Sequence, residues 1–219
     1  MHTEIRFTND GSHTLYVPEI DESYHSVHGA IQESQHIFIQ AALEQCTKNE
    51  IRVLEIGFGT GLNALLALVA ASKNGKSIHY TGIEKFPVDA SQAEQLNYSQ
   101  NFDATTQTLF RTMLQAAWNV AVPITPWFTL FKIETDFVST SFIEHYDVVF
   151  FDAFSPDKQP EMWTAEQFGK LYNACNENAI LSTYCAKGIV RRTMQACGFS
   201  VERLSGPPGK REILRALKI

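Results

Sequence analysis

Charge is scarce in this chain of 219 residues, and the acidic side dominates: 18 Lys and Arg face 24 Asp and Glu, a net charge of −6. That balance excludes a general polyanion binder. Cysteine is sparse too. Cys46, Cys175, Cys185 and Cys197 form no Cys-x-x-Cys pair and no Cys/His set with metal-ligand spacing, so they read as small buried thiols of a reducing compartment. The seven histidines include no His-x-x-x-His pair, and no metal is expected. No apolar run reaches the ~18 residues of a membrane span; the nearest, Leu62 to Ala71, is interrupted by Asn63. The start, Met1-His2-Thr3-Glu4, lacks the basic-then-apolar pattern of a secretory signal. Internal repeats, low-complexity tracts and Pro/Gly/Ser linkers are missing as well. The expectation is a cytoplasmic chain without membrane attachment, and its length suits one filled core.

What is present is a change of texture near residue 49. Before it, Ile5 to Val17 reads as a hairpin around Asn9-Asp10-Gly11-Ser12, Tyr24 to His28 as a loop, and Gly29 to about Gln45 as one helix. Residues 1–48 are therefore expected to form an appendage, and residues 49–219 the main unit. There, strands are predicted at 51–56, 77–83, 128–133, 146–151, 179–184, 199–204 and 213–217. Helices are predicted at 62–72, from Pro87 to 98, at 105–119, at 164–176 behind a Thr164/Gln167 capping box, and up to residue 196. The last two strands have only Gly206-Pro207-Pro208-Gly209 between them, which predicts an antiparallel pair. The alternation implies an α/β fold: a doubly wound, Rossmann-like, mainly parallel seven-stranded sheet with an antiparallel C-terminal pair.

Glu55-Ile56-Gly57-Phe58-Gly59-Thr60-Gly61 leaves the first of these strands and opens a helix. Glycines there let the backbone turn sharply and approach a ligand, while the helix start offers free N–H groups. Leu62 occupies the last glycine position of the dinucleotide fingerprint, and no Gly-Lys-Ser/Thr follows, so neither that motif nor a P-loop is present. Glu84 ends the second strand, where a carboxylate can accept both hydroxyls of a ribose; taken alone it reads as a solvated turn acid, and together with the glycine loop as the ribose acceptor. Asp136 follows the third strand and is either an acceptor for an adenine amine or a cap before Phe137.

The fourth strand, almost wholly apolar, ends in Asp152-Ala153-Phe154-Ser155-Pro156. Packing does not call for an acid at the carboxyl end of such a strand, which lies in the ligand crevice of an open sheet. Pro156 and Pro160 stiffen the following loop so that Asp152 and Phe154 can aim at one point. A carboxylate beside an aromatic ring suits an amine, which it can orient and deprotonate.

The pattern Glu-x-Gly-x-Gly-x-Gly resembles the first motif of class I S-adenosylmethionine-dependent methyltransferases. Val53 to Leu66 (VLEIGFGTGLNALL), Asp152 to Thr164 (DAFSPDKQPEMWT), Ser182 to Phe199 and Tyr24 to Ser34 resemble the methyltransferase domain of the MnmC family and its stand-alone MnmD relatives, over nearly the whole chain. The resemblance implies methylation of the exocyclic amine of 5-aminomethyl-2-thiouridine at the tRNA wobble position, with S-adenosylmethionine as donor and without the flavin-dependent oxidase of the two-domain members. It places Glu55, Gly57, Gly59, Gly61, Glu84 and Asp136 on the cofactor, and Asp152 at the substrate amine as the catalytic residue. Tyr24, Glu33, Phe154, Ser155, Pro156 and Trp163 would form the substrate side; Trp163 stacks on the base or anchors its loop. Ala153 stands where the family pattern has glycine, and Asp-x-Phe-Ser-Pro also resembles aminopropyltransferases of the spermidine synthase kind. A transferase acting on a small amine, or a non-catalytic cofactor-binding module, are the competing readings.

From Lys187 onward eight basic residues face only Glu202 and Glu212, so one edge attracts phosphate although the whole does not. Arg191, Arg192, Lys210 and Arg211 are the candidate tRNA contacts. No RNP or KH motif is present, so recognition would rest on shape and one extruded base.

Overall fold

The computed structural model describes residues 2–219. Strands β1 (Glu4–Phe7), β2 (His13–Val17) and β3 (Glu22–Ser23) form a small antiparallel sheet. The predicted hairpin turn is held by Asp10, whose Oδ1 accepts the Ser12 N–H at 2.9 Å. The single helix predicted for 29–45 is instead three pieces. Helix α1 (Ala30–Ser34) widens into a π-helical turn over Gln35–Gln40, closed by Ala41 N–H to the His36 carbonyl at 3.1 Å, and a 3₁₀ turn follows at Leu43–Gln45. The widening has a packing cause. Ile37, Phe38 and Ile39 are consecutive and all buried, which the narrow stripe of a regular α-helix does not provide.

The main body runs β4 (Glu50–Ile56), α2 (Leu62–Asn74), β5 (Ser77–Glu84), α3 (Ala90–Ala93), α4 (Ala104–Gln115), β6 (Ala121–Thr125), β7 (Phe128–Glu134), β8 (Tyr146–Phe151), α5 (Ala165–Ala174), β9 (Cys175–Thr183), α6 (Gly188–Ala196), β10 (Ser200–Ser205) and β11 (Glu212–Leu217). One sheet takes them in the order β10-β11-β9-β8-β4-β5-β7-β6. Pairs β9·β8, β8·β4, β4·β5 and β5·β7 are parallel; β10·β11, β11·β9 and β6·β7 are antiparallel.

This is the expected Rossmann-like α/β sheet, with eight strands rather than seven. The extra strand, β6, carries Pro123, which has no N–H to donate; the edge position and a local register shift accommodate it. The long helix predicted from Pro87 to Tyr98 is also absent. After α3, Asn97 is diverted to the N-terminal hairpin, accepting the His13 N–H at 2.8 Å and donating to the Gly11 carbonyl at 2.8 Å.

Alternate residues of the central strands feed two cores, as a sheet covered on both faces requires. Val53, Val148 and Phe150 enter one with α2; Leu54, Val149 and Phe151 enter the other with Trp163 and Phe168. The chain turns from β4 to β5 on one side and later returns to β8 on the other. The carboxyl ends of β4, β5 and β8 thus surround a topological switch point, where such sheets bind ligands. Among the described residues no helix is long and apolar enough to cross a membrane.

Candidate active site

A cavity of about 820 Å³ opens at this switch point. Its floor is the glycine loop after β4 with the ends of β5, β7 and β8. Its cover is the segment around β3 and Tyr24–His28, together with the Gly209–Lys210 turn between β10 and β11. Seven acidic side chains (Asp21, Glu22, Glu33, Glu84, Asp136, Asp152, Glu161) but only three lysines (Lys85, Lys158, Lys210) line it, a wall suited to cationic ligands.

The glycine loop is shaped by close backbone approach. Gly57 has φ of 90°, and a Cβ there would lie 2.5 Å from the carbonyl oxygen of Asp152. At Gly59 the ring of Tyr24 takes the space a side chain would fill. The Gly59 N–H donates to Glu84 Oε2 at 3.0 Å and the Phe86 N–H to Oε1 at 2.9 Å. Glu84, which lines the cavity, is thus held by two backbone donors. Burial pushes its pKa up, and these hydrogen bonds oppose the rise. Asp136 lines the cavity but also caps its turn, accepting the Val138 N–H at 2.9 Å. Lys85, paired with it at 2.8 Å, holds its carboxyl below the usual carboxylate range.

Asp152 lines the same cavity as Glu84. Its Oδ2 accepts from Asn63 Nδ2 at 2.9 Å, and its Oδ1 has no partner among the described residues. Burial raises its pKa to about 7; the nearby Glu33 adds to the rise, while Asn63 and Lys210 oppose it. Tyr24 meets Phe154 edge-on with ring centroids 5.3 Å apart, and both rings line the same cavity as Asp152. Burial pushes the Tyr24 phenol upward, so the hydroxyl stays a donor. Glu33 Oε2 accepts the Ser26 N–H at 2.8 Å, and Oε1 lies 3.4 Å from Lys210. This pair joins the N-terminal cover to the β10–β11 turn.

Several expected site residues lie elsewhere. Glu55 does not touch the cavity: it is fully buried beneath the loop, accepting from Asn63 at 2.8 Å and Tyr80 at 2.8 Å, because its side chain leaves β4 on the α2 face. Trp163 is a loop anchor; its indole N–H donates to the Phe154 carbonyl at 2.9 Å and its ring packs on Phe151 and Phe168. Ser155 donates to the cavity-lining Glu22, with its N–H at 3.2 Å and its hydroxyl at 3.1 Å, but neither it nor Pro156 lines the cavity. Arg191, Arg192 and Arg211 lie outside it, whereas Lys210 projects into it and sits over the Tyr184 ring at 4.8 Å.

Sequence reasoning missed Asn63, Tyr80, Glu22 and Tyr184 as parts of the site. Asn63 had a signal, being the one polar residue in the apolar run Leu62 to Ala71. Among the described residues no cluster of three or more His, Cys, Asp or Glu is placed to hold a metal.

Comparisons with known proteins agree with this geometry. The profile of a family described as S-adenosyl-L-methionine-dependent methyltransferase matches residues 99–219. The tRNA 5-methylaminomethyl-2-thiouridine biosynthesis bifunctional protein MnmC of Campylobacter fetus is 30% identical over 225 residues, covering 97% of this chain and 35% of that protein. The corresponding protein of a Marinomonas species is 27% identical, covering 89% and 31%. The chain therefore spans about a third of the length of these relatives. Among solved structures, MNMC2 from Aquifex aeolicus superposes with a TM-score of 0.79 at 27% identity, over 98% of this chain and 70% of that one. Spermidine synthase from Thermotoga maritima, at 12% identity and a TM-score of 0.57 over 100% of this chain and 72% of that one, shares the fold.

Proposed function

Because the chain belongs to the family of S-adenosyl-L-methionine-dependent methyltransferases, we propose that its cavity holds that donor and methylates the exocyclic amine of 5-aminomethyl-2-thiouridine at the tRNA wobble position, in the cytoplasm. The observation that carries this reading is Asp152: a strand-end carboxylate lining the cavity with Tyr24 and Phe154, with one oxygen unpartnered among the described residues and its pKa raised to about 7. The biosynthetic role for which the MnmC relatives are named supports the choice of tRNA and of nucleoside.

The residues present fit the donor. Glu84, held by the Gly59 and Phe86 N–H groups, offers acceptors for two ribose hydroxyls. Gly57 and Gly59 let the loop pack closely on the Asp152 carbonyl and the Tyr24 ring at the cavity, and the acidic wall favours a sulfonium cation. Asp136, which lines the same cavity, would accept a hydrogen bond from the adenine amine. When bound, S-adenosylmethionine supplies an electrophilic methyl group.

The chain's own residues then handle the amine. An aminomethyl group is largely protonated at neutral pH. Asp152 Oδ1 accepts a hydrogen bond from that ammonium and takes its proton, a transfer favoured when the acceptor's pKa lies near the working pH. Asn63 keeps Oδ2 occupied, so the amine has one oxygen to approach. Tyr24 and Phe154 give the cation an aromatic wall, and the cover from the N-terminal segment excludes water. Positioning supplies most of the acceleration.

The deciding experiment incubates the protein with labelled S-adenosylmethionine and tRNA carrying 5-aminomethyl-2-thiouridine, followed by nucleoside analysis. Label is expected in 5-methylaminomethyl-2-thiouridine. Asp152→Ala is expected to keep donor binding by calorimetry and to lose about 100-fold or more in transfer. No label in tRNA, with turnover of a polyamine instead, would replace this reading with one of a small-amine transferase.

A further inference from the structure

We propose that Asn63 is a positioning residue for Asp152, and that Glu55, fixed by Tyr80, is the charge against which Asn63 is balanced. The inference rests on the role given to Asp152 above and adds the apparatus behind it. One amide nitrogen serves both acids: Asn63 Nδ2 donates to Asp152 Oδ2 at 2.9 Å and to Glu55 Oε1 at 2.8 Å. Tyr80 holds the other Glu55 oxygen at 2.8 Å. The nitrogen has two hydrogens, and both are used.

Stability alone gives a poor account of this residue. Asn63 is buried in α2 among Leu62, Ala64, Leu65 and Leu66, and its own Oδ1 is buried with no partner. An orphaned buried acceptor is unfavourable, and an apolar side chain would pack there without it. The arrangement makes sense only through the two carboxylates. Rotating the amide would turn its oxygen toward both of them, which requires protons on each. With the nitrogen inward, Asn63 favours ionised acids and leaves Asp152 Oδ1 as the sole oxygen presented to the cavity.

Other groups face Asp152 as well. Glu33 from α1 disfavours its charge and Lys210 from the β10–β11 turn favours it. Tyr184, after β9, bonds to the Ala153 carbonyl at 2.9 Å and feels Asp152, Glu22, Glu33 and Cys185. Burial pushes the Glu55 pKa well up, with Asp152 and Glu84 adding to the rise, and the hydrogen bonds from Asn63 and Tyr80 are what oppose it. None of these donates a hydrogen bond to Asp152; Asn63 does.

The test needs neither donor nor RNA. The full chain, labelled with ¹³C at aspartate Cγ, is titrated by NMR, the Asp152 signal being assigned from Asp152→Asn. Removing the donor in Asn63→Ala is expected to raise the Asp152 midpoint by about one pH unit, a tenfold change in proton affinity. Glu55→Gln keeps an acceptor for Asn63 and a partner for Tyr80 but removes the charge, and is expected to lower the midpoint. A merely structural role for Asn63 would let water in and move both variants down, toward the value of a solvated carboxyl. Same-direction shifts, or none, overturn the proposal. Circular dichroism and thermal melting check folding; should Asn63→Ala not fold, the near-isosteric Asn63→Asp replaces it, with a rise expected again. Should neither fold, a lowered midpoint in Glu55→Gln supports the proposal and an unmoved or raised one overturns it. Methyl transfer to tRNA can fail while these shifts appear, so the two readings fall separately.

Discussion

A methyl group added at Gly57 would meet the Asp152 carbonyl oxygen at 2.5 Å, on a backbone whose φ of 90° disfavours any side chain. Neither atom can give way cheaply, since β8 is fixed beside β4 by the Asp152 N–H to the Ile56 carbonyl at 2.9 Å. Gly57→Ala is therefore expected to cost about 1–3 kcal/mol, lowering the melting temperature by roughly 2–10 °C for a chain of this size. It should weaken donor binding as well, because the displaced loop carries the Gly59 N–H that aims Glu84. Differential scanning calorimetry and donor titration check both. At this scale the sequence disclosed the acids that end strands, Glu84 and Asp152, since an apolar strand has no packing use for them. It could not disclose Asn63 between Glu55 and Asp152, because that contact joins residues 89 positions apart. Nor could it show whether Trp163 points into the crevice or, as found, into the core.

The elements that cover the cavity depend on a buried histidine. His25 sits at the end of the N-terminal sheet with its backbone N–H on Thr14 Oγ1 at 3.0 Å and its ring against Tyr98, Nδ1 to hydroxyl 3.3 Å. Burial lowers its pKa to about 4, so the ring is neutral at pH 7. The unfolded chain, with an ordinary histidine near 6.5, takes up a proton first as pH falls. The contribution is thus intact above pH 6.5 and lost progressively toward pH 4, by about 2 kcal/mol at pH 5. His25→Phe keeps a ring on Tyr98 and cannot titrate. Its stability, from urea unfolding at pH 7 and pH 5, should fall less than that of the unaltered protein by about that amount; an equal fall would mean that His25 is hydrated and the cover loosely docked. The elements that carry the site were the legible ones: strand Tyr146–Phe151 matches its prediction residue for residue because both its faces are covered. The departures occur where side chains override local pattern: Asn97 reaching for the hairpin in place of a helical turn, three consecutive buried residues forcing the π-helical widening, and Pro123 marking an edge strand that reads as a loop.

On the scale of the whole molecule, a net charge of −6 argues against a nucleic-acid partner, yet the structure distributes that charge unevenly. Much of the basic C-terminal stretch is neutralised in place: Lys187 by Asp157, Arg203 by Glu212, Arg215 by Glu202 and Lys218 by Glu177. Lys210 is committed to the cavity beside Glu33. Arg191, Arg192 and Arg211 remain, in no ion pair among the described residues, and Arg191 Nε is buried without a partner. The sequence showed the basic excess but not which side chains were spent internally, because that division is made by strand pairing and by the turn between β10 and β11. If these three arginines meet tRNA phosphates, each releases condensed counterions on binding. The dependence of log K on log salt should then flatten by roughly 0.7–0.9 for every arginine removed. The triple variant Arg191→Ala, Arg192→Ala, Arg211→Ala is expected to bind tRNA about 10- to 100-fold more weakly at low salt, with a slope reduced by roughly two, while donor affinity by calorimetry stays unchanged. Filter binding across a salt series reads both quantities. A weakened affinity at unchanged slope would mean that the substitutions disturb the fold near the cavity, and no change in either would move the RNA to the cavity-lining lysines Lys85 and Lys158.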